Sequence, residues 1–399
     1  MNILFLTSRF PYPPHRGDKL KIYNLIKEMA RRGHEITLVS FVASTMEEEY
    51  VSSLSKFCVD VKTIRLSPVQ SIFNCLLNVF SRIPFQVAYF RTKRMVTLLT
   101  DLLASRHFDI VHVHLIRMAQ YGVALATTPR ALDLTDAGSL YLERFLEITH
   151  NPIKKVFLRT ELKRLKRYEE LLKQFDVSLV CSEVDKNVLH TRSPHAHIDL
   201  LQNGIDLEYF SDNGAASPIP GQIIYTGNMS YYPNIDGALY LIKEIFPKIR
   251  KAFVNAKLYI VGQNPPFALK RLGGEDVVVT GFVRDIKAEY LQSAVAVAPI
   301  RFGAGTLNKI LEPMALGIPV VATSIAMEGL PVQHGRDILV ADSPDDFAQS
   351  VVHLLNDEKM QRVLGANAQA VVRNLYDWKR IAVQLEKIYN DLIVITKPG

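Results

Sequence analysis

The sequence predicts an α/β chain made of two doubly wound, parallel-sheet domains. Three observations predict it. The 399 residues exceed what one hydrophobic core usually serves. Short apolar runs alternate with helix-length amphipathic runs along the chain. A polar, Pro- and Gly-rich stretch, Ser211 to Gly221, separates two such series as a linker would. Domains are therefore expected at residues 1–210 and 222–375, joined by 211–221 and followed by a closing helix at 376–399.

The first series opens with strand Ile3 to Thr7, a loop from Pro11 to Asp18, helix Lys19 to Arg32 stopped by Gly33, and strand Glu35 to Phe41. This is a βαβ unit whose first loop ends at a helix N-terminus carrying Arg16, Gly17 and Asp18. With one glycine and no GxGxxG, the loop does not read as a dinucleotide site. Met46 to Phe57 reads as helix and Val61 to Leu66 as strand; Ile72 to Phe90 is apolar and aromatic and leads into Arg91, Lys93 and Arg94. Phe108 to Leu115 is a strand whose alternation puts His112 and His114 on one side, toward its C-terminal end. A His-x-His pair is also what a metal fragment or a satisfied pair looks like, and spacing places no third ligand. Leu132 to Asp136 is the next strand end. The second series starts at Ile223 to Thr226, turns at Gly227-Asn228, and continues through a helix from about Asn234 to Lys251 and strands at Leu258 to Val261, Val277 to Thr280 and Ala294 to Pro299. Helices from Ala366 to Ile395 end the chain and hold the only tryptophan, Trp378, read as packing.

Arg301 to Thr323, RFGAGTLNKILEPMALGIPVVAT, organises the second domain. A turn containing Gly303 and Gly305 runs into Thr306, a good N-cap, and an apolar-periodic helix that stops at Gly317. The first N–H groups of a helix lack internal partners and sit at its positive end, so they suit a phosphate. Lys309 falls in the first turn, and Glu312 lies one turn on, roughly 4.5 Å along the axis. A cation beside a diphosphate and an acid within reach of sugar hydroxyls would grip a nucleotide from two sides.

The run Gly303-x-Gly305-Thr306-x-x-Lys309-x-x-Glu312-x-Met314-Ala315-x-Gly317-x-Pro319-Val320-Val321 resembles the donor motif of glycosyltransferase family 4, the retaining, nucleotide-sugar-dependent enzymes of GT-B fold. The strand end Asp109-x-x-His112-x-His114, the segment Leu200 to Phe210 and the closing helices resemble that family too. The resemblance implies two Rossmann-like domains facing a cleft, with the last helix crossing back to the first domain. It implies that Lys309 stabilises the leaving diphosphate with help from Arg301, that Glu312 binds the ribose hydroxyls, and that His114 contacts the transferred sugar. Gly303, Gly305, Thr306, Leu307 and Asn308 would cradle the phosphates, with Asn228 and Val283 also at the donor. Arg16, Gly17 and Asp136 would line the acceptor side. The activity implied is metal-independent transfer of a sugar from a nucleotide diphosphate donor to a lipid-linked or glycan acceptor, as in exopolysaccharide synthesis. The donor is a substrate, and neither cofactor nor metal is expected; no DxD motif occurs in the chain.

Two departures from the family pattern keep alternatives open. The position eight before Glu312 is Ala304, where the family usually has an acid, and Gly227-Asn228 stands where many members carry Gly-Arg and then Lys-Gly. A non-catalytic donor-binding subunit, or a nucleotide-sugar 2-epimerase of the same fold, would also fit.

Composition limits the setting. Three scattered cysteines give neither a disulfide framework nor a zinc site. The N-terminal run reads as a first strand rather than a signal peptide, no run is long enough to span a membrane, and a cytoplasmic protein is expected. Residues 1–200 carry 28 Lys and Arg against 20 Asp and Glu, whereas the remainder carries 19 against 20. Much of that excess lies in Asn151 to Lys173, a basic helix with Leu158, Leu162, Leu165, Tyr168 and Leu172 as an apolar stripe. It is either a solvated face or a contact with an anionic membrane surface, which would make the protein peripheral on the inner face of the cell membrane. Nucleic acid is not an expected partner, because no reading motif or aromatic platform is interleaved with the cations.

Overall fold

A computed structural model describes residues 1–125, 127–211, 218–303, 305 and 307–396. The chain forms two compact units, one of residues 1–203 with the terminal helix, the other of residues 204–377.

The first unit is built on a seven-stranded sheet: β1 (Asn2–Thr7), β2 (Glu35–Val42), β3 (Asp60–Arg65), β4 (Ile110–His114), β5 (Arg130–Thr135), β6 (Val177–Val180) and β7 (Ile198–Leu200), in the order β3-β2-β1-β4-β5-β6-β7. All six pairings are parallel. Parallel strands covered on both faces bury side chains on both, and β1 shows it from Ile3 to Thr7. Leu4 and Leu6 enter one core with Val39, Val111 and Leu132, while Ile3 and Phe5 enter another with Ile36, Leu38 and Ile110. Helix Gly17–Arg31 covers the second face with Ile22, Leu25, Ile26 and Met29, beside Trp378, Ile381, Leu385 and Tyr389 of the terminal helix Trp378–Thr396.

The second unit carries β8 (Ile219–Thr226), β9 (Lys257–Val261), β10 (Val277–Gly281), β11 (Ser293–Ala298), β12 (Val320–Ala322) and β13 (Leu339–Val340), ordered β10-β9-β8-β11-β12-β13 and again parallel. In each sheet the strand order reverses once, between β1 and β4 and between β8 and β11. Loops leaving the C-terminal ends of those pairs diverge, which opens a crevice where ligands bind in open α/β sheets.

Several expected boundaries move for physical reasons. Residues 204–210 pack with the second unit: Ile205 and Phe210 are in its core, and the Ile205 N–H donates to the Tyr376 carbonyl at 2.5 Å. Residues 212–217 of the expected linker lie outside the described residues, and Ile219 to Gly221 already belong to β8. The helix expected at Asn234 to Lys251 is helix Tyr232–Tyr240, a π-helical turn Leu241–Ile245 and helix Phe246–Ala252. Pro247 has no N–H to return to the preceding turn, and the extra residue of the π turn absorbs the break. The closing helices are Glu358–Leu375 and Trp378–Thr396, interrupted where Asp377 makes a bridge with Ile205. Met46 to Phe57 splits into helices Thr45–Glu49 and Val51–Leu54.

The basic segment is helix Pro152–Tyr168 continued by the 3-10 turn Glu169–Gln174, with the Asn151 side chain as cap. Its expected stripe packs inward, Leu158, Leu165 and Leu172 being buried. Arg164, expected on the solvated face, is buried instead. It donates to the Val79 carbonyl and lies 4.5 Å from the Phe85 ring centroid.

Candidate functional site

In the second unit the segments after β8 and β11 join Asn228 and Lys309 through Asn234. Gly262 (φ 153°) must be glycine, because a Cβ there would meet the Gly227 carbonyl oxygen at 1.8 Å, and this close approach shapes the turn of Gly227 and Asn228. The Asn228 carbonyl accepts from Asn234 Nδ2 at 2.9 Å. The other end of the same amide, Oδ1, accepts from Lys309 Nζ at 2.7 Å. Lys309 also donates to the Tyr225 hydroxyl at 3.0 Å and lies 4.2 Å from that ring's centroid. It is 8% exposed, and no carboxylate pairs with it among the described residues. Burial therefore pulls its pKa down to about 7, against the pull of Glu312.

Glu312 is half-buried and accepts from the Tyr290 hydroxyl at 2.9 Å, while Tyr290 also shares a 2.6 Å contact with Thr226 Oγ1. Burial pushes Glu312 up to about 7, opposed by the Tyr290 hydrogen bond and by Lys309. A cation and an acid one turn apart, both poised near neutrality, cluster at functional sites. The helix that bears them is Asn308–Ala315, preceded by Leu307 at the cap position with no side-chain cap. Thr306, the expected cap, and Ala304 lie outside the described residues. Among the described residues no side chain caps the first N–H groups of this helix, and Gly303 and Gly305 precede them, Gly305 at φ 76°.

Arg301 is placed differently from its expected role. Its guanidinium grips Asp236 through Nε at 2.9 Å and Nη2 at 2.6 Å, and it lies 4.7 Å from the Tyr240 ring centroid. A bidentate pair leaves it a positioning part for the loop rather than a free cation. Val283, half-buried, follows Gly281 at the end of β10. Asn234, Tyr225, Tyr290 and Asp236 were not selected from the sequence. The one available signal was Tyr231-Tyr232-Pro233-Asn234 standing where cations were expected.

In the first unit the pairing of β4 with β5 sets His114 opposite Asp133. Asp133 is fully buried; burial would raise its pKa, but Lys21, whose Nζ is 2.8 Å away, holds it well below the usual range. Its other oxygen lies 3.4 Å from His114 Nδ1 and 3.6 Å from His112 Nε2. His112 is sealed, with Nδ1 2.7 Å from the Tyr389 hydroxyl, and burial lowers its pKa. The fold thus adds the acid that spacing left out, bringing ligand atoms of His112, His114 and Asp133 within 4.8 Å of one another. The Lys21 ammonium on the same carboxylate works against a divalent ion there. His114, 3% exposed, keeps both ring nitrogens without a hydrogen bond.

Two non-glycine residues at these strand ends hold left-handed backbone, Leu115 at φ 70° and Thr135 at φ 67°. For a β-branched threonine this is a costly conformation, of the kind that collects at functional sites. Asp136 follows directly; burial and the charge of Asp185 push it up to about 7. Arg117, missed from sequence, follows Leu115. Its Nε is buried without a partner, and burial with Arg9 nearby lowers its pKa to about 10. Arg16 lies 3.5 Å from Asp18, and Arg9 pairs with the same acid, so that Asp18 sits at about 2 although burial alone would raise it. Gly17 opens the helix without a left-handed φ, and a side chain at this position would enter open space, so nothing in the fold of the chain demands glycine there.

Comparison with known proteins bears on the family and the fold. Residues 22–209 match the Glycosyltransferase Family 4 model, and residues 220–357 match that of Glycosyl transferases group 1. N-acetyl-alpha-D-glucosaminyl L-malate synthase of Bacillus anthracis is 24% identical over 97% of this chain and 97% of its own. An uncharacterized 44.6 kDa protein in the cps region of Klebsiella pneumoniae is 21% identical over 95% of this chain and 97% of its own. Among solved structures, sucrose-phosphate synthase from Thermosynechococcus elongatus superposes with a TM-score of 0.70 at 18% identity, covering 99% of this chain and 100% of its own. HepE of Anabaena, in complex with UDP, gives 0.68 at 16% identity, covering 98% and 100%. With both halves matched and two parallel, doubly wound sheets as expected, the chain belongs to the glycosyltransferases of family 4 and group 1 and has the GT-B fold.

Proposed function

We propose that the protein moves a sugar, with retention and without metal, from a nucleotide diphosphate sugar to a lipid-linked or glycan acceptor. The observation that carries this reading is the buried Lys309, oriented by Asn234 and Tyr225 at the start of helix Asn308–Ala315, with Glu312 one turn on. The bond between the anomeric carbon and the diphosphate oxygen breaks, and the carbon joins an acceptor hydroxyl oxygen whose proton leaves with the diphosphate. Lys309 and the helix N–H groups stabilise the charge that develops on the diphosphate, a task that oriented dipoles and one cation perform in a site shielded from water. Glu312 receives the ribose hydroxyls. In the first unit His114 meets the transferred sugar, and Arg16, Gly17 and Asp136 receive the acceptor. The UDP and UDP-glucose complexes of HepE support a nucleotide-sugar donor, and the cps-region relative supports a place in exopolysaccharide synthesis.

The protein also works at a membrane surface in this reading. Among the described residues no helix is long and apolar enough to cross a membrane. An apolar face nevertheless stands in solvent on helix Pro68–Leu77 and its extension to Phe80, beside Ile153, Val156 and Phe157.

A thermal-shift screen of nucleoside diphosphates in EDTA tests the donor reading, because a ligand that binds only the folded state raises its melting temperature. One nucleotide series is expected to stabilise the protein by several degrees in EDTA, and Glu312→Ala to erase that shift. Stabilisation that requires a divalent ion, or survives Glu312→Ala unchanged, contradicts the assignment.

A further inference from the structure

At the C-terminal end of the edge strand β3 lies a cavity of about 200 Å³, lined by Arg65, Ser67, Gln70, Arg91, Thr92 and Arg94 among others, with no acid in its wall. The three arginines are exposed and have no ion pair among the described residues. Two helices start here. Ser67 caps Pro68–Leu77, accepting from the Gln70 N–H at 3.4 Å, and Thr92 caps Lys93–Ser105, accepting from the Arg94 N–H at 3.3 Å. Their positive ends add to the three guanidinium charges.

The wall is preorganised. The Thr92 N–H donates to the buried Tyr121 hydroxyl at 2.9 Å, that hydroxyl donates to the Phe90 carbonyl at 2.6 Å, and Asn74 Nδ2 donates to the Arg91 carbonyl at 2.7 Å. Asn74 belongs to helix Pro68–Leu77, so the pocket is tied to the element whose outer face exposes Ile72, Phe73, Leu76 and Leu77. A concentrated positive pocket beside an unpartnered apolar face has the two parts of a lipid, a charged head and a greasy tail.

We propose that this pocket binds a phosphate group, that of an anionic lipid headgroup whose acyl chains lie against the apolar face of the same helix. Planar guanidinium groups hold phosphate oxygens in pairs, and the capped helix ends hold the remaining charge. The site belongs to the first unit alone and does not depend on the donor reading. Nucleotide binding can fail while it stands, and the reverse.

The test uses the full chain and vesicles of phosphatidylcholine with and without 20% phosphatidic acid, at about 0.15 M salt. The informative variant is Gln70→Glu, which keeps the capping-box pattern with Ser67 and puts an acid in the first turn, so that it favours the helix while setting a carboxylate in the pocket. It is expected to keep the melting temperature and to weaken binding to phosphatidic acid vesicles about tenfold, which is about 1.4 kcal/mol. Arg65→Gln with Arg91→Gln and Arg94→Gln is expected to weaken it further. Lys251→Gln with Lys257→Gln and Lys270→Gln, which removes the same charge from exposed positions of the second unit, is expected to matter less. Equal losses in the two triple variants, or none in Gln70→Glu, overturn the proposal. Saturable binding of inorganic phosphate that Gln70→Glu abolishes, with no preference for phosphatidic acid vesicles, makes the site one for a soluble phosphate and overturns the lipid assignment.

Discussion

Lys309→Met removes most sugar transfer, on the order of a hundred- to a thousandfold in rate, while the protein stays as stable as before or becomes more so. The rate loss follows from withdrawing one preorganised positive group from the leaving diphosphate. The stability result follows from the sign of the pKa shift. An unfolded lysine holds its proton to about 10.5, whereas the buried Lys309 releases it near 7. The unfolded chain therefore binds more protons between those values, stability climbs with pH across that window, and the full cost of the buried ammonium falls at and below about pH 7. Methionine fills similar space without that cost. Against the gain, Asn234 Oδ1 loses its donor, a penalty of about 1–3 kcal/mol, so the net change is small or favourable. Release of nucleoside diphosphate and circular-dichroism melting at pH 6.5 measure the two halves. Unchanged transfer, or a fold that collapses with Lys309→Met, contradicts the assignment.

Ile72→Ser with Leu76→Ser and Phe80→Ser releases the protein from anionic vesicles, weakening binding on the order of a hundredfold. These residues, with Val69, Phe73 and Leu77, follow helical spacing, yet they face water: Phe80 is 100% exposed and Val69 78%. The face continues onto the basic helix, where Ile153 is 81% exposed and Phe157 stacks on Phe85 at 5.7 Å. The two segments are bound together by Glu161, which accepts from the Phe85 N–H at 2.7 Å, and by Arg164 on the Val79 carbonyl. Arg82, Lys155, Arg159 and Lys163 lie in the same two segments, a charge pattern that matches an anionic lipid surface better than a neutral partner. Each large side chain fully buried in an apolar phase contributes about 1.5–3 kcal/mol, and partial burial of three accounts for the expected loss. Sedimentation with phosphatidylcholine vesicles containing 30% phosphatidylglycerol reads it. Equal capture of the triple variant refutes the membrane face, and a dimer lost in that variant without vesicle binding assigns the face to a second copy.

Periodicity and punctuation made most of the strands legible, and the run from Gly303 to Val321 placed Lys309 and Glu312 correctly in one helix. What could not be read is how distant segments complete each charge. Lys309 is held by Tyr225 of β8 and Asn234 of helix Tyr232–Tyr240, 84 and 75 residues away, and Glu312 by Tyr290 of helix Ile286–Leu291. Arg301 looked free because its partner, Asp236, lies 65 residues upstream. Arg117 carried no motif, and only the left-handed Leu115 and its unpartnered Nε mark it. The basic helix shows the limit of pattern from the other side. Its apolar stripe was visible, yet Arg164 turned inward, and a second apolar face at Ile153, Val156 and Phe157 turned outward. Local spacing does not say which face of a helix meets its neighbour.

The most direct test of the buried Lys309 as the diphosphate grip is calorimetric titration of the stabilising nucleoside diphosphate at pH 8 and pH 6, in two buffers of different ionisation enthalpy. At pH 8 Glu312 is already ionised and Lys309 largely neutral in the free protein, so closing a diphosphate on Lys309 draws in about one proton. Uptake near one proton at pH 8, shrinking toward pH 6 and absent in Lys309→Met, is the predicted result. Tight binding with no proton uptake at pH 8, or uptake that persists in Lys309→Met, would show that the diphosphate is held elsewhere.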